Sequence, residues 1–238
     1  MGQAAAALVH GEIRRVVAEK GGARIVMACA PSQDDYYAAL VPLAKAEPEI
    51  WQNVTVFHMD EYVGLSAESP QSFRNYLRSH FLDHVEVREF PPIRGAAGDS
   101  ELEARRYERL LDAGPIDVIS MGIGENGHIA FNDPPVADFD DRYRVKMVEL
   151  DPICRQQQVN DGCFASLDEV PTHALTLTLP VFASAGLLAC IVPSSRKAEA
   201  VRKTLAGAIG TDCPATLLRQ HTNSHLFIDR EAASLILS

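Results

Sequence analysis

Apolar and polar positions alternate along this chain in two rhythms, one helical and one extended, and the two take turns. Leu8, Val9, Ile13, Val16 and Val17 mark one face of a helix over residues 4–18, which Gly21-Gly22 stops. A short apolar run over 24–30 reads as a buried strand, followed by a helix over about 34–46 and a second strand over 53–59. Ser69-Pro70 is a favourable helix start, and Phe73, Tyr76, Leu77 and Phe81 give that helix its buried face. Residues 100–111 form a charged amphipathic helix closed by Gly114-Pro115. Ile116, Val118, Ile119 and Met121 are the apolar run of a central parallel strand. Over 142–150, Arg142, Arg144 and Lys146 alternate with Tyr143, Val145 and Met147, a strand with one basic face. Residues 151–164 are polar with weak periodicity and predict a short helix and a mobile segment, a candidate lid. Strands over 174–179, 186–192 and 224–228, a helix ending near 206 and a closing helix over 231–237 complete the pattern. Strands alternating with helices predict an α/β fold, a parallel sheet covered on both faces. No repeat, low-complexity tract or linker divides it, so residues 1–238 are expected to form a single domain.

Composition narrows the function classes. The 238 residues are 47% hydrophobic, enough for a sizeable core, and carry a formal net charge of −10. That charge argues against nucleic acid as a partner, although a few local cations and backbone amides suffice for a phosphate. No apolar run approaches the length of a membrane span, and the N-terminus shows no signal-peptide pattern. The five cysteines are scattered without metal-like spacing, so free thiols in a reducing cytoplasm are expected and no metal or other cofactor is read.

The chemistry concentrates beyond the strand that ends at Met121. Gly122, Gly124 and Gly127 release the backbone, and Glu125, Asn126, His128, Asn132 and Asp133 crowd into the loop. In open α/β sheets ligands bind beyond the carboxyl ends of strands, and a histidine with a carboxylate there suggests acid–base chemistry. The dinucleotide fingerprint does not fit, because the third glycine comes early and no periodic helix follows; a P-loop fails for want of Gly-Lys-Ser/Thr. Asp60 and Glu61 follow a second strand. In an extended chain their side chains point opposite ways, so one faces the site while the other holds the loop. His58, inside the strand, is structural. The loop holding Ala30, Ser32 and Gln33 is either an anion site at a helix start or an ordinary strand–helix turn. Ser194, Ser195 and Lys197 before another helix suit a phosphate, the alternative being a solvated lysine.

Two long motifs then mark a family. Phe57-His58-Met59-Asp60-Glu61-Tyr62-Val63-Gly64-Leu65 and Gly122-Ile123-Gly124-Glu125-Asn126-Gly127-His128-Ile129-Ala130-Phe131-Asn132-Asp133-Pro134 resemble those of the glucosamine-6-phosphate deaminases, whose wider group includes the 6-phosphogluconolactonases. Val170-Pro171-Thr172-His173-Ala174-Leu175-Thr176 is a third matching block, and the resemblance spans nearly the whole chain. It implies a modified doubly wound, Rossmann-like α/β sandwich, with one more short strand before the first helix than this sequence holds. It also implies conversion of glucosamine 6-phosphate and water to fructose 6-phosphate and ammonia. By the same resemblance Asp60 is the base that moves a proton from C2 to C1. His128 opens the sugar ring, oriented by Asp133. Lys197 and the loop through Ala30, Ser32 and Gln33 bind the phosphate, with Glu61 and Gly127 beside the substrate.

The chain departs from the family pattern at several of these positions. Asn126 stands where an aspartate is usual, and Asp133 is one methylene shorter than the usual glutamate. Pro31 removes one N–H from the cradle. The lid arginine has no counterpart near Asp161-Gly162, Arg155 being the nearest in sequence. Arg144 and Lys146 match a basic pair that binds an allosteric sugar phosphate in regulated members, but their accompanying serine is lost, with Val136 nearby, so regulation is not expected. The expected partner is a small sugar phosphate, and a homo-oligomer is compatible with everything above. A sugar-lactone hydrolase of the same fold and a sugar-phosphate-binding protein with weakened catalysis are the competing readings. A metal hydrolase built on His58, Asp60 and His128 is disfavoured, because too few ligands converge.

Overall fold

The computed structural model describes residues 1–237. Its elements, in chain order, are α1 (Gly2–Lys20), β1 (Ala23–Met27), α2 (Asp34–Ala46), α3 (Pro48–Trp51), β2 (Val54–His58), β3 (Asp60–Tyr62), α4 (Phe73–Leu77), α5 (Ser100–Asp112), β4 (Val118–Met121), β5 (Val145–Glu149), α6 (Pro152–Asn160), β6 (His173–Leu177), α7 (Leu179–Ala183), β7 (Leu187–Val192), α8 (Ala198–Ala206) and β8 (Ser224–Ile228).

Among the described residues, five strands form a parallel sheet in the order β2-β1-β4-β7-β8. Alternation along each strand divides the core between its faces. Ile25, Met27, Leu187, Ala189 and Ile191 pack with Val9 and Ile13 of α1 and Leu40 of α2. Val26, Leu188, Cys190 and Val192 pack with Tyr107 and Leu111 of α5 and Val201 of α8. The doubly wound, Rossmann-like expectation holds, and both faces of the sheet are covered.

Expecting one parallel sheet throughout was incomplete. β3, β6 and β5 form a separate antiparallel sheet. The chain passes from β2 through Met59 straight into β3, and Leu177 N–H donates to the Met59 carbonyl at 2.8 Å. Asp60 therefore sits at the seam, at the carboxyl end of a parallel strand yet paired with Thr176 of β6.

Two helix boundaries also differ from expectation. α4 begins at Phe73 rather than after Pro70, because the Ser72 hydroxyl caps it by accepting the Asn75 N–H at 3.2 Å. The closing helix over 231–237 does not form. Ala232 and Ala233 are buried in a turn capped by Asp229, while Leu235 and Leu237 are exposed. So short a segment cannot sustain a helix unless its apolar side chains find a surface to pack on.

Candidate active site

The segments that follow β1, β2, β4 and β7 line one cleft. It opens where the strand order reverses, since β1 pairs with β2 on one side and β4 on the other. Ala28–Gln33 comes from the first segment, Asp60 from the second, Gly122, Gly124 and His128 from the third, and Lys197 from the fourth.

The loop after β4 is shaped around the His128 ring. A Cβ at Gly124 would lie well inside 3 Å of three ring atoms, so only glycine admits the imidazole there. Gly124 N–H donates to the His128 carbonyl at 3.0 Å. Gly127 takes φ +86°, and a Cβ there would also meet Cys213 Sγ at 2.5 Å. Asn132 fixes the far end of the loop, its Nδ2 donating to the carbonyls of Ile129 (2.9 Å) and Leu177 (2.7 Å).

Three polar side chains then form a relay. His128 Nδ1 lies 2.8 Å from Asn126 Oδ1 and 2.9 Å from Asp133 Oδ1. Asn126 Nδ2 donates to Asp133 Oδ1 at 2.8 Å, and the His128 N–H donates to Asn126 Oδ1 at 3.0 Å. Both neighbours of Nδ1 are acceptors, which places the proton on Nδ1 and leaves Nε2 for the cleft. Burial pushes the Asp133 carboxyl up, but the His128 imidazole and the Asn126 amide outweigh it and hold the group below the usual carboxylate range.

The adjacent carboxylates have separate tasks. Asp60 lines the cleft; burial pushes its carboxyl well above the ordinary value, and the charge of Glu61 adds to the rise. Glu61 is turned inward and wholly buried. Its carboxylate accepts the backbone N–H groups of Tyr62, Phe73 and Arg74 at 3.0–3.1 Å, tying β3 to the start of α4. Burial pushes it up to about 7, against the pull of those three amides. His58 is fully buried, held neutral by a pKa lowered to about 3 through burial, and its Nε2 accepts the Ile93 N–H at 2.8 Å.

At the other end of the cleft a turn of 3-10 helix, Ser195–Lys197, presents the lysine. Ser194 holds an unusual φ of +85°, secured by donation of its N–H to Asp229 Oδ2 at 2.9 Å. Burial lowers the Lys197 pKa, and Asp161 and Glu125 push back. Gln33 Nε2 donates to Ser32 Oγ at 3.1 Å and to the Ile191 carbonyl at 3.2 Å, which fixes the cradle against β7.

Asp60, His128, Ala30, Ser32, Gln33 and Lys197 thus meet around one cavity, with Asn126 and Asp133 behind His128. Glu61 and Gly127, expected beside the substrate, lie outside the cleft wall: the first is committed to backbone amides and the second backs onto Cys213. Gln157, Gln158, Asp161 and Cys163 also line the cleft; the sequence marked their segment as a candidate lid but singled out none of them as a site residue, because its weak periodicity does not say which side chains turn inward. That segment is docked. Gln157 Oε1 accepts the Glu125 N–H at 2.9 Å, and the Tyr62 hydroxyl donates to Gln158 at 2.8 Å. Arg155 donates instead to the carbonyls of Leu167 and Val170. The basic strand face offers no open anion site at Lys146, whose ammonium is held by the Val136 carbonyl (2.6 Å) and Asp141 (2.7 Å), while Arg144 lies 3.4 Å from Asp112. Among the described residues, no helix is long and apolar enough to cross a membrane.

Comparison with known proteins gives a consistent result. The family model described as glucosamine-6-phosphate isomerases/6-phosphogluconolactonase matches residues 1–227. A Bacillus subtilis protein named glucosamine-6-phosphate deaminase 1 is 39% identical over 92% of this chain and 90% of its own length. One from Exiguobacterium sibiricum, named glucosamine-6-phosphate deaminase, is 40% identical over 78% of this chain and 71% of its own. A solved structure described as a monomeric glucosamine-6-phosphate deaminase of the NagB superfamily superposes with a TM-score of 0.90 at 37% identity, covering 98% of this chain and 95% of that one. A 6-phosphogluconolactonase from Thermotoga maritima shares the fold with a TM-score of 0.74 at 17% identity, over 94% and 92% of the two chains.

Proposed function

Because this chain belongs to the family of glucosamine-6-phosphate isomerases and 6-phosphogluconolactonases, we propose that it is a glucosamine-6-phosphate deaminase, converting its substrate and water to fructose 6-phosphate and ammonia. The observation that carries the reading is the sharing of one cleft by a buried carboxylate of raised proton affinity, Asp60, and an imidazole backed by a carboxylate, His128. A lactone hydrolase has no use for a carbon base, so Asp60 favours the deaminase.

Each residue takes a task that follows from its surroundings. Lys197, the only cation among the described residues of the cleft wall, takes the phosphate with Ser32 and the backbone of the Ala30–Gln33 loop. This anchors the sugar so that its reacting carbons are held rather than encountered. His128 moves the proton of the ring oxygen through Nε2, while Asp133 and Asn126 hold Nδ1–H and steady the transient imidazolium. In the opened sugar Asp60 takes the proton from C2 and returns it to C1. The C2–N bond becomes an imine, and water adds to C2 to give the ketone and release ammonia. Burial serves Asp60 here, because a poorly solvated carboxylate binds a proton more tightly and accepts it from carbon more readily. The five cysteines are free thiols, in keeping with a cytoplasmic enzyme.

The test is ammonia release from glucosamine 6-phosphate, galactosamine 6-phosphate and unphosphorylated glucosamine. Release is expected from the first, with loss of about three orders of magnitude in an Asp60→Asn variant that melts no lower than wild type, since the amide removes a buried charge. A folded Asp60→Asn that keeps its rate, or hydrolysis of a sugar lactone in place of ammonia release, refutes the assignment.

A further inference from the structure

Behind the cleft, the fold brings together a set of metal-ligand types that no spacing in the sequence reveals. His128 and Asp133 come from the loop after β4, and Cys154 comes from the first turn of α6. One nitrogen, one oxygen and one sulfur from these residues lie within 4.8 Å of one another, and all three side chains are buried. Asp133 is 1% exposed, yet its Oδ2 has no hydrogen-bond partner. The Cys154 thiol lies beside this carboxylate and is drawn to it as a weak donor, which helps to lower Asp133 and to raise Cys154. A buried carboxylate oxygen whose one neighbour is a weak thiol donor is poorly compensated, and it marks a position where a cation would be favoured.

We propose that His128, Asp133 and Cys154 form a binding site for a thiophilic divalent cation, Zn²⁺ above all, whose occupancy switches off the relay. The donor set of one imidazole, one carboxylate and one thiolate suits zinc and disfavours magnesium, which requires oxygen ligands. Tetrahedral zinc holds its ligand atoms roughly 3–4 Å apart, so the three groups need close by only small rotamer changes. Binding balances simply. The Cys154 S–H bond breaks and its proton leaves to solvent, the S–Zn bond forms, and the His128 proton moves from Nδ1 to Nε2 as Nδ1 takes the metal. Asp133 then ligates instead of orienting the ring, so catalysis through His128 stops. The site rests on geometry that stands whether or not the deaminase assignment does.

The experiment adds Co²⁺ to the reduced full-length protein and follows the thiolate-to-cobalt charge-transfer band, with Zn²⁺ as competitor. One equivalent is expected to give the band, Zn²⁺ to displace it, and Mg²⁺ to leave it unchanged. Cys154→Ser should lose the band and Asp133→Asn should weaken cobalt binding at least tenfold, while Cys163→Ser, the half-exposed thiol of the same cleft, retains it. Ammonia release should fall in step with zinc occupancy and return on chelation. Absence of the band in the wild-type protein, its survival in Cys154→Ser, or its loss in Cys163→Ser alone overturns the proposal. If Cys154→Ser does not fold, wild-type cobalt affinity in Asp133→Asn overturns it equally.

Discussion

Replacing Gly124 by alanine tests whether the loop after β4 exists to seat one ring. The new methyl would lie well inside 3 Å of three atoms of the His128 imidazole. Ordinary contact is about 3.5 Å, so the ring must retreat by roughly 1 Å. The backbone offers no relief and demands none, because Gly124 is not among the positive-φ glycines. The imidazole is tethered through Nδ1 to Asn126 at 2.8 Å and to Asp133 at 2.9 Å, and a shift of that size breaks one of these contacts or withdraws Nε2 from the cleft. Misplacing a catalytic group by about 1 Å typically lowers the rate by about 100-fold. That corresponds to about 2.7 kcal/mol of transition-state stabilisation. Overpacking lowers stability by about 1–3 kcal/mol, too little to unfold a typical domain. KM should barely move, since Lys197 and Ser32 are untouched. The assay is steady-state ammonia release with a thermal melt of the same sample. Gly11→Ala is the control: its Cβ meets nothing within 4 Å, and in a helix interior it should raise stability by about 0.5–1 kcal/mol at full activity. A folded Gly124→Ala with kcat within threefold of wild type refutes the reasoning.

Two further outcomes follow from buried ionisable groups. Glu61 is raised from 4.5 to about 7, so between those values the folded chain holds a proton that the unfolded chain has lost, and stability falls as pH rises. One proton corresponds to about 1.4 kcal/mol per pH unit, and Asp60 acts in the same direction. Glu61→Gln should therefore make the decline between about pH 5 and pH 7 shallower, measured by urea unfolding at several pH values; an unchanged slope counts against the assignment. Lys197 is a buried cation whose pKa is lowered, so at neutral pH its charge opposes folding. Lys197→Met should raise KM for glucosamine 6-phosphate by about 10–100-fold while raising the melting temperature, and a variant that loses stability without losing affinity would contradict both halves.

The division between what the sequence made legible and what it did not follows the range of the interactions. Strands β1, β2, β4 and β7 announce themselves as apolar runs, and the cleft residues beyond them follow from the rule that ligands sit at strand carboxyl ends. The role of Glu61 was half legible: alternation required one of the two carboxylates to face away, but only the fold shows that the inward one caps Phe73 and Arg74, twelve and thirteen residues on. The antiparallel sheet was only half legible: β5 alternates charged and apolar residues, as a strand with one solvated face does, but β6 is buried nearly throughout like a parallel strand, and nothing local says that the two pair with each other. The neutralisation of Lys146 depends on Asp141 and on a bend that brings in the Val136 carbonyl, neither of which periodicity encodes. Cys154 joins His128 and Asp133 only through the docking of α6, so no spacing rule could have grouped them.

Asn126 and the shortened Asp133 read separately as two losses, but the geometry makes them one adjustment. Asp133 Oδ1 lies 2.8 Å from Asn126 Nδ2, a contact between a donor and an acceptor. A carboxylate at position 126 would turn it into a contact between two anions. At an effective dielectric constant near 20, two unit charges at that separation repel by about 6 kcal/mol. That exceeds what the His128 imidazole gains from a second anion, so the pair would bind a proton at neutral pH and mimic the amide it replaced. The amide is therefore what a short acid needs at this distance: it keeps Asp133 below the usual carboxylate range while still accepting from Nδ1. Asn126→Asp should accordingly bring no gain at neutral pH, with kcat remaining within tenfold of wild type. Its activity should acquire a new dependence on pH as the shared proton is lost. A rise in kcat of more than tenfold would show that the missing charge, rather than the hydrogen-bond pattern, had been limiting the relay.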